Sequence, residues 1–195
     1  GLPELREQIA GFYKAHLGID AAASQVIVGP GSKALIFALQ MALEAELILP
    51  TPSWVSYAPQ AHLLGRAVRY VPASIENDYM LELEALQYTV SQSTHPYKIL
   101  LLNSPNNPTG RMLEASFLQA LADYCRREGI IVLSDEIYAL LPHGNQEHIS
   151  MARYYPEGTV VLGGLSKHLS LGGSRVVLVI TPARPAAGRV EHSLL

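Results

Sequence analysis

Residues 115–138 read ASFLQALADYCRREGIIVLSDEIY, and this stretch decides the fold. The apolar side chains of its first half recur at helical spacing, which indicates a helix with one face against a sheet. They are Leu118, Leu121, Ala122 and Cys125. The second half begins with the continuous apolar run 130–133, which is typical of a strand covered on both faces. An acidic pair follows closely, so the stretch predicts a buried strand with polar residues at its carboxyl end.

The same alternation of strand and helix extends along the chain. Strands are predicted at 25–29, 46–50, 67–71, 97–103, 129–134, 159–163 and 175–181. Helices are predicted at 3–16, 32–44, 55–64, 81–90 and 115–128. This order indicates an α/β fold, with a mostly parallel seven-stranded sheet and helices on both faces. Right-handed crossovers should bring all the strand carboxyl ends to one edge, where open α/β sheets bind ligands.

The composition is that of one globular domain with a substantial core. The chain has 195 residues, of which 49% are hydrophobic and 16% charged, and its net charge is −3. Basic residues are spread along the sequence, so we expect neither a nucleic-acid surface nor a membrane-surface patch. No apolar run approaches membrane-spanning length. Cys125 is the only cysteine, which fits a reducing cytoplasm, and the histidines show no metal-ligand spacing, so no metal site is predicted.

The two ends of the sequence differ from its centre. The chain starts with Gly1-Leu-Pro and no methionine. Its last segment, 181–195, turns to alanine, proline and arginine and loses clear periodicity. We therefore expect a piece cut from a longer protein, with an irregular tail over 181–195.

A glycine-rich turn joins the first predicted strand to the helix at 32–44. It reads Gly-Pro-Gly-Ser-Lys over 29–33. Glycines let the backbone approach a phosphate, and the start of a helix presents N–H groups to an anion. The spacing of a P-loop is absent. A tight turn capped by Ser32 is the alternative interpretation.

Two further segments follow predicted strands. Trp54, the only tryptophan, is either a large core side chain or an aromatic plate for a ligand, and Tyr57 is a further candidate for the same pocket. The loop 104–110 reads Ser-Pro-Asn-Asn-Pro-Thr-Gly. It is either a plain turn or a stiff loop that aims Asn107 at a ligand.

Asp135 and Lys167 each follow an apolar strand and carry a charge. The acidic pair at 135–136 could hold magnesium in the manner of a Walker B segment, but the sequence has no Walker A partner for it. Lys167 stands in GLSKHLSLGGSR, residues 164–175. A lysine amine that loses its proton in a desolvated site attacks carbonyl groups, whereas most lysines near a strand end are simply solvated.

The segments 104–110, 134–138 and 164–175, in this order, resemble the large domain of fold-type I, class I/II aminotransferases. These enzymes use pyridoxal 5′-phosphate. The resemblance covers residues 1–180, which would form the cofactor-binding large domain. No single motif is specific, but their combination and order are.

The resemblance gives the charged residues their roles. Lys167 would form a Schiff base with the cofactor aldehyde and later move protons as the general base. Asp135 would keep the pyridine nitrogen protonated, which makes the ring an electron sink. Ser166 would help to hold the lysine segment. Glu136 is interpreted as structural, and His168 is not taken as a base because the lysine does that work.

The resemblance also assigns the other cofactor contacts. The phosphate would be held by Gly31, Ser32, Lys33 and Arg175. Trp54 would stack on the pyridine ring. Asn107 and Tyr138 would hydrogen-bond the ring oxygen.

Two positions and two segments depart from the family pattern. Gly164 stands where many relatives carry a serine that binds the phosphate, so one hydroxyl is lost. Val177 stands where the common pattern has glycine, and it would disturb the backbone if that glycine has a positive φ. The second, smaller domain, with the arginine that grips the substrate carboxylate, is expected to be missing, as is an upstream segment.

The implied activity is that of an enzyme, a cytoplasmic aminotransferase that transfers an amino group between an amino acid and a 2-oxo acid. The family completes its active site at a dimer interface, so a homodimer is expected. A carbon–sulfur lyase and a cyclopropane-carboxylate synthase share the cofactor residues and stay open as alternatives. An inactive truncated fragment stays open too, and without the substrate arginine we expect little turnover from these residues alone.

Overall fold

The computed structural model describes residues 1–141 and 147–182. Its centre is a seven-stranded sheet with the strand order β1-β7-β6-β5-β4-β2-β3. The strands are β1 (Val26–Gly29), β2 (Glu46–Thr51), β3 (Val68–Pro72), β4 (Lys98–Asn103), β5 (Ile131–Asp135), β6 (Thr159–Gly164) and β7 (Val177–Ile180). The helices are α1 (Pro3–Leu17), α2 (Ser32–Ala42), α3 (Tyr57–Leu63), α4 (Leu83–Ser91) and α5 (Ala115–Glu128). Short 3-10 turns lie at Ala23–Gln25, Ile75–Asn77, Met151–Arg153 and Gly172–Ser174.

The predicted strands and helices are found, with ends shifted by at most two residues. Helix α5 has the predicted bounds. It ends where Gly129 takes a left-handed conformation with a φ of 65°, which glycine adopts without strain. The four apolar residues predicted to face the sheet from this helix are buried.

The sheet is mostly parallel, as predicted, but β7 runs antiparallel to both of its neighbours, β1 and β6. The expectation that all strand carboxyl ends meet at one edge is therefore wrong for β7. The reason is its connection to β6, because the loop 165–176, described throughout, holds only a short 3-10 turn and no crossover helix. In consequence β7 starts at the edge where the parallel strands end, and this brings Arg175 to that edge.

Helices cover both faces of the sheet, as predicted. Helices α2 and α3 share one core with Leu133 of β5, whereas α4 and α5 share another with Val132. Helix α1 packs on the same face as α4 and α5, over Val161 and Leu178. Successive side chains of a strand alternate between faces. Asp135, two residues after Leu133, therefore lies on the face that α2 and α3 cover.

Across residues 1–141 and 147–182, no helix combines the length and the apolar character that a membrane crossing requires. Within the same ranges, no three histidine, cysteine, aspartate or glutamate side chains are grouped so that they could hold a metal ion. Most of the predicted irregular tail, residues 183–195, lies outside the described residues. The boundary of the large domain at residue 180 stays a prediction.

Candidate functional site

A cavity of about 460 Å³ opens at the edge of the sheet where β4, β5 and β6 end and β7 begins. This volume lies within the range of small-molecule sites. Every predicted site residue except Gly31 lines the cavity. The lining residues are Ser32, Lys33, Trp54, Tyr57, Asn103, Asn107, Asp135, Ile137, Tyr138, Ser166, Lys167, Gly172 and Arg175. The fold thus brings side chains from separate loops around one space.

Asp135, the last residue of β5, is only 3% exposed. Its Oδ2 accepts a hydrogen bond from the Tyr57 hydroxyl at 2.7 Å, and its Oδ1 accepts one from the Ile137 N–H at 3.3 Å. Burial raises the pKa of the Asp135 carboxyl to about 6, with a smaller contribution from the charge of Glu136. The two hydrogen bonds and the charge of Lys167 act in the opposite direction. A buried carboxylate of this kind gains most from a cationic partner in the cavity.

Tyr57 is a site residue that the sequence analysis named only as a further candidate and gave no role. It is the first residue of α3, is 1% exposed and lies with its ring 5.3 Å from the ring of Trp54. Burial, and then the neighbouring Asp135, raise the pKa of the Tyr57 hydroxyl, so the hydroxyl stays protonated and donates. Its position one turn after Trp54, at the start of the predicted helix, was the available signal.

Asn103 is a second residue that the sequence analysis missed. It ends β4, its side-chain amide donates to the backbone carbonyl of Asp135 at 2.8 Å, and its Oδ1 accepts from the Asn107 N–H at 2.7 Å. Asn103 thereby ties the loop 104–110 to the end of β5. Asn107 in turn lies 3.5 Å from the Tyr138 hydroxyl through its side-chain nitrogen. The only signal for Asn103 in the sequence was its position as the polar last residue of an apolar strand.

Lys167 lies in the exposed loop after β6. Its Nζ is 5.3 Å from the centre of the Tyr138 ring, which places the amine beside the residue that the resemblance assigns to the ring oxygen. Ser166 lines the cavity next to it. His168 packs its ring against that of Phe12, with 6.3 Å between the ring centres, so it lies with α1 and not with the lining residues.

Gly31 and Arg175 meet at the start of α2. Gly31 is the N-cap residue with a φ of 132°, and a β-carbon added to it would lie 2.0 Å from Nη2 of Arg175. A side chain at position 31 would push the Arg175 guanidinium away from its present position. Arg175 donates from Nε to the Pro30 carbonyl at 3.2 Å and from Nη1 to the Gly172 carbonyl at 3.3 Å. The alternative that Ser32 caps the helix is wrong, since Gly31 occupies that position and α2 has no side-chain cap.

The two departures from the family pattern are neighbours in space. Gly164 and Val177 are paired residues of β6 and β7. A β-carbon added to Gly164 would lie 3.0 Å from Cγ2 of Val177 and 3.1 Å from the Val176 carbonyl oxygen. Val177 lies within a regular strand, so a valine there needs no left-handed backbone. The valine occupies space that a side chain at position 164 would need.

Two kinds of charge face the cavity. Lys33, Arg175 and the uncapped start of α2 form a region that favours an anion such as phosphate. Asp135 is a buried carboxylate that favours a cation. Pyridoxal 5′-phosphate has a phosphate, a basic ring nitrogen and an aldehyde. The residues of the cavity therefore fit this group, with Lys167 as the amine for the aldehyde.

Comparison with known proteins agrees with this fit. The family model described as aminotransferase class I and II matches residues 1–191. The chain is 37% identical over 182 residues to an aspartate aminotransferase of Geobacillus stearothermophilus, covering 90% of the chain and 46% of that relative. It is 34% identical over 188 residues to a probable aspartate/prephenate aminotransferase of Aquifex aeolicus, covering 93% of the chain and 47% of that relative. The chain spans about half the length of the curated relatives it matches.

Solved structures show the same fold. An aromatic aminotransferase from Pyrococcus horikoshii superposes with a TM-score of 0.86 at 33% identity, over 94% of this chain and 50% of that one. The aspartate aminotransferase of Thermus thermophilus with maleate superposes with a TM-score of 0.87 at 33% identity, over 93% of this chain and 47% of that one. With a family model that matches nearly the whole sequence, the chain belongs to the class I and II aminotransferases, whose cofactor is pyridoxal 5′-phosphate.

Proposed function

We propose that residues 1–180 are the cofactor-binding large domain of an aminotransferase that transfers an amino group between an amino acid and a 2-oxo acid. One observation carries the proposal. A lysine amine, a buried carboxylate and the uncapped start of α2 line the same cavity. The relatives named above are aspartate and aromatic aminotransferases, which favours transamination over the carbon–sulfur lyase and the cyclopropane-carboxylate synthase.

We assign the cofactor contacts as follows. The phosphate is held by the N–H groups at the start of α2, by the Ser32 hydroxyl and by the cations of Lys33 and Arg175. Trp54 stacks on the ring. Asn107 and Tyr138 hydrogen-bond the ring oxygen. When bound, the cofactor supplies an aldehyde for amines and an electron-withdrawing ring.

The chain's own residues then handle the protons. Asp135 holds a proton on the ring nitrogen, because a cation beside this carboxylate favours its ionised form. Tyr57 orients Asp135 through its 2.7 Å hydrogen bond. The amine of Lys167 would take the proton from the α-carbon of the amino acid and pass it on to the cofactor within the same half-reaction. In the second half it would move a proton the other way, to the α-carbon of the new amino acid. Ser166 supports the lysine loop.

We further propose a cytoplasmic homodimer. An apolar groove of about 660 Å³ lies between α2 and α3, beside the cavity, and shares Lys33 and Arg175 with it. Val55 and Leu63, which line this groove, are each 80% exposed. An exposed apolar surface continuous with the site fits a second copy of the chain. Sedimentation of the wild type and of Val55→Glu tests this, and we expect a dimer from the wild type and a monomer from the variant. If both proteins are monomers at micromolar concentration, the result counts against the dimer.

The cofactor assignment is tested by the visible absorption of the purified chain with added pyridoxal 5′-phosphate, next to Lys167→Ala. We expect a protein-bound band in the wild type alone, and borohydride should make the cofactor covalent at Lys167. Equal spectra from two folded samples would contradict the proposal. A second experiment uses the full-length protein and an amino acid, and measures how much of the cofactor is converted to its pyridoxamine form. Stoichiometric conversion indicates transamination and not lyase chemistry.

A further inference from the structure

Glu136 lies next to Asp135, but it faces a different part of the molecule. Asp135 contacts Tyr57 of α3 on one face of the sheet. Glu136 contacts Ser134, which shares the opposite face with Val132. Glu136 is 3% exposed, so its carboxyl group is buried directly behind the cavity without lining it.

From the described residues, the carboxylate of Glu136 accepts four hydrogen bonds. Its Oε1 accepts from the hydroxyls of Ser134 at 2.9 Å and Ser150 at 2.8 Å, and from the Met151 N–H at 3.3 Å. Its Oε2 accepts from Nε2 of His148 at 3.0 Å. Three of these donors belong to the segment 148–151, and Ser150 and Met151 are almost fully buried. Glu136 therefore joins this segment to the end of β5.

The backbone of Glu136 organises the turn that follows. Its N–H donates to the Leu162 carbonyl of β6 at 2.9 Å, and its carbonyl accepts from the Ala139 N–H at 2.9 Å. Within the same turn, Tyr138 accepts from the Leu141 N–H at 3.0 Å. The residue thus sits between Asp135 and Tyr138, which both line the cavity. Because these residues belong to one short segment, we expect a displaced Glu136 to shift both of them.

Burial of a carboxylate is unfavourable unless it is paired and hydrogen-bonded, and apolar residues of similar size often stabilise a core as well or better. Its presence therefore points to a positional requirement and not to stability. We propose that Glu136 is a positioning residue, whose carboxylate fastens the segment 148–151 to β5 and so holds Asp135 and Tyr138 in the cofactor cavity. This rests on the proposed function, since the cavity is taken as the pyridoxal phosphate site.

The test compares matched substitutions. Glu136→Met keeps the length of the side chain but removes every acceptor, whereas Glu136→Gln keeps one oxygen for Ser150 and Met151. Glu46→Met is the control, because Glu46 is also a buried carboxylate, 4% exposed and 2.8 Å from Nε of Arg69, but it starts β2 at the far end of that strand from the cavity. Unfolding by urea shows how much stability each variant loses.

Two properties are then measured on the folded variants. Dissociation constants for pyridoxal 5′-phosphate come from quenching of Trp54, the only tryptophan, which lines the cavity. We expect Glu136→Met to weaken binding about tenfold, Glu136→Gln to restore most of it and Glu46→Met to change it by less than about twofold. Hydrogen exchange without cofactor should accelerate at the amides of Ile137, Ala139 and Leu141 in Glu136→Met alone.

If Glu136→Met does not fold, Ser150→Ala replaces it in the test, because this variant removes one hydrogen-bond donor and leaves the carboxylate of Glu136 in place. It should accelerate the same three amides and weaken binding about threefold. The proposal would be overturned if folded Glu136→Met, or folded Ser150→Ala, had the cofactor affinity and the exchange rates of the wild type. It would also be overturned if Glu46→Met lost as much cofactor affinity as Glu136→Met. A wild type that binds no cofactor would refute the proposed function, and the exchange rates would still decide whether Glu136 holds the turn.

Discussion

The hydroxyl of Tyr57 donates a hydrogen bond of 2.7 Å to Oδ2 of Asp135, which joins the first residue of α3 to the last residue of β5. Tyr57 is 1% exposed and Asp135 is 3% exposed. Because a hydrogen bond to a carboxylate favours its charged form, Tyr57 counteracts the effect of burial on Asp135. The charge that Asp135 presents to a ligand thus depends on a residue of helix α3.

Tyr57→Phe should weaken pyridoxal phosphate binding by about tenfold, since a hydrogen bond to a charged group contributes about 1.5–3 kcal/mol. The same change should raise the pKa of Asp135 further. Equilibrium dialysis measures the affinity. Tyr155→Phe is the control, because Tyr155 is equally buried but packs against the core of α5. Equal affinities for both variants would show that Tyr57 does not support Asp135.

Asp135 should make the cofactor-free chain less stable as the pH rises from about 4 to about 6. Its pKa is about 6 in the folded chain against an ordinary value of 3.8 for aspartate, so the folded state binds more protons within this window. The protonated Asp135 carboxyl therefore contributes to stability below a pH of about 4, and this contribution is lost above a pH of about 6. The shift corresponds to about 3 kcal/mol. Urea unfolding at several pH values should show this slope in the wild type and not in Asp135→Asn.

Gly164→Ser should destabilise the chain by about 1–3 kcal/mol, because the new side chain would press on Val177 across the two strands. In Gly164→Ser combined with Val177→Ala, the clash with the valine methyl is removed and part of the loss should return. Urea unfolding of both single variants and the double variant measures the coupling, which we expect to exceed about 0.5 kcal/mol. Additive losses would mean that the two positions are independent.

Gly31→Ala should displace Arg175 and weaken the binding of pyridoxal phosphate about tenfold, but it should leave the binding of pyridoxal, which lacks the phosphate, unchanged. Gly65→Ala is a matched control. Gly65 also has a positive φ, 67°, but a β-carbon there would meet no atom within 4 Å. Both variants should lose about 1–3 kcal/mol of stability from the backbone. A parallel loss of pyridoxal binding in Gly31→Ala would contradict a specific role at the phosphate.

The sequence predicted the elements of this fold well because their patterns are local. Apolar runs such as 130–133 and helical spacing in 115–128 need no information from elsewhere in the chain. The expectation that β7, the strand after Arg175, ends at the same edge as the other strands was wrong. A strand's direction depends on how the preceding connection crosses the sheet, and the loop 165–176 has no pattern that reveals this.

The sequence by itself indicated the candidate site residues, because the family motifs are short and each lies at the end of one strand. The tertiary structure decided which of them meet and what holds them. The hydrogen-bond partners of Asn103, Tyr57 and Glu136 come from other elements or from beyond the next loop. The spacing of residues along the chain does not encode such contacts. The crowding between Gly164 and Val177 likewise exists only because two strands pair in one register. Local patterns follow from the periodicity of helix and strand, whereas burial, hydrogen bonding and pKa arise only when distant segments pack together.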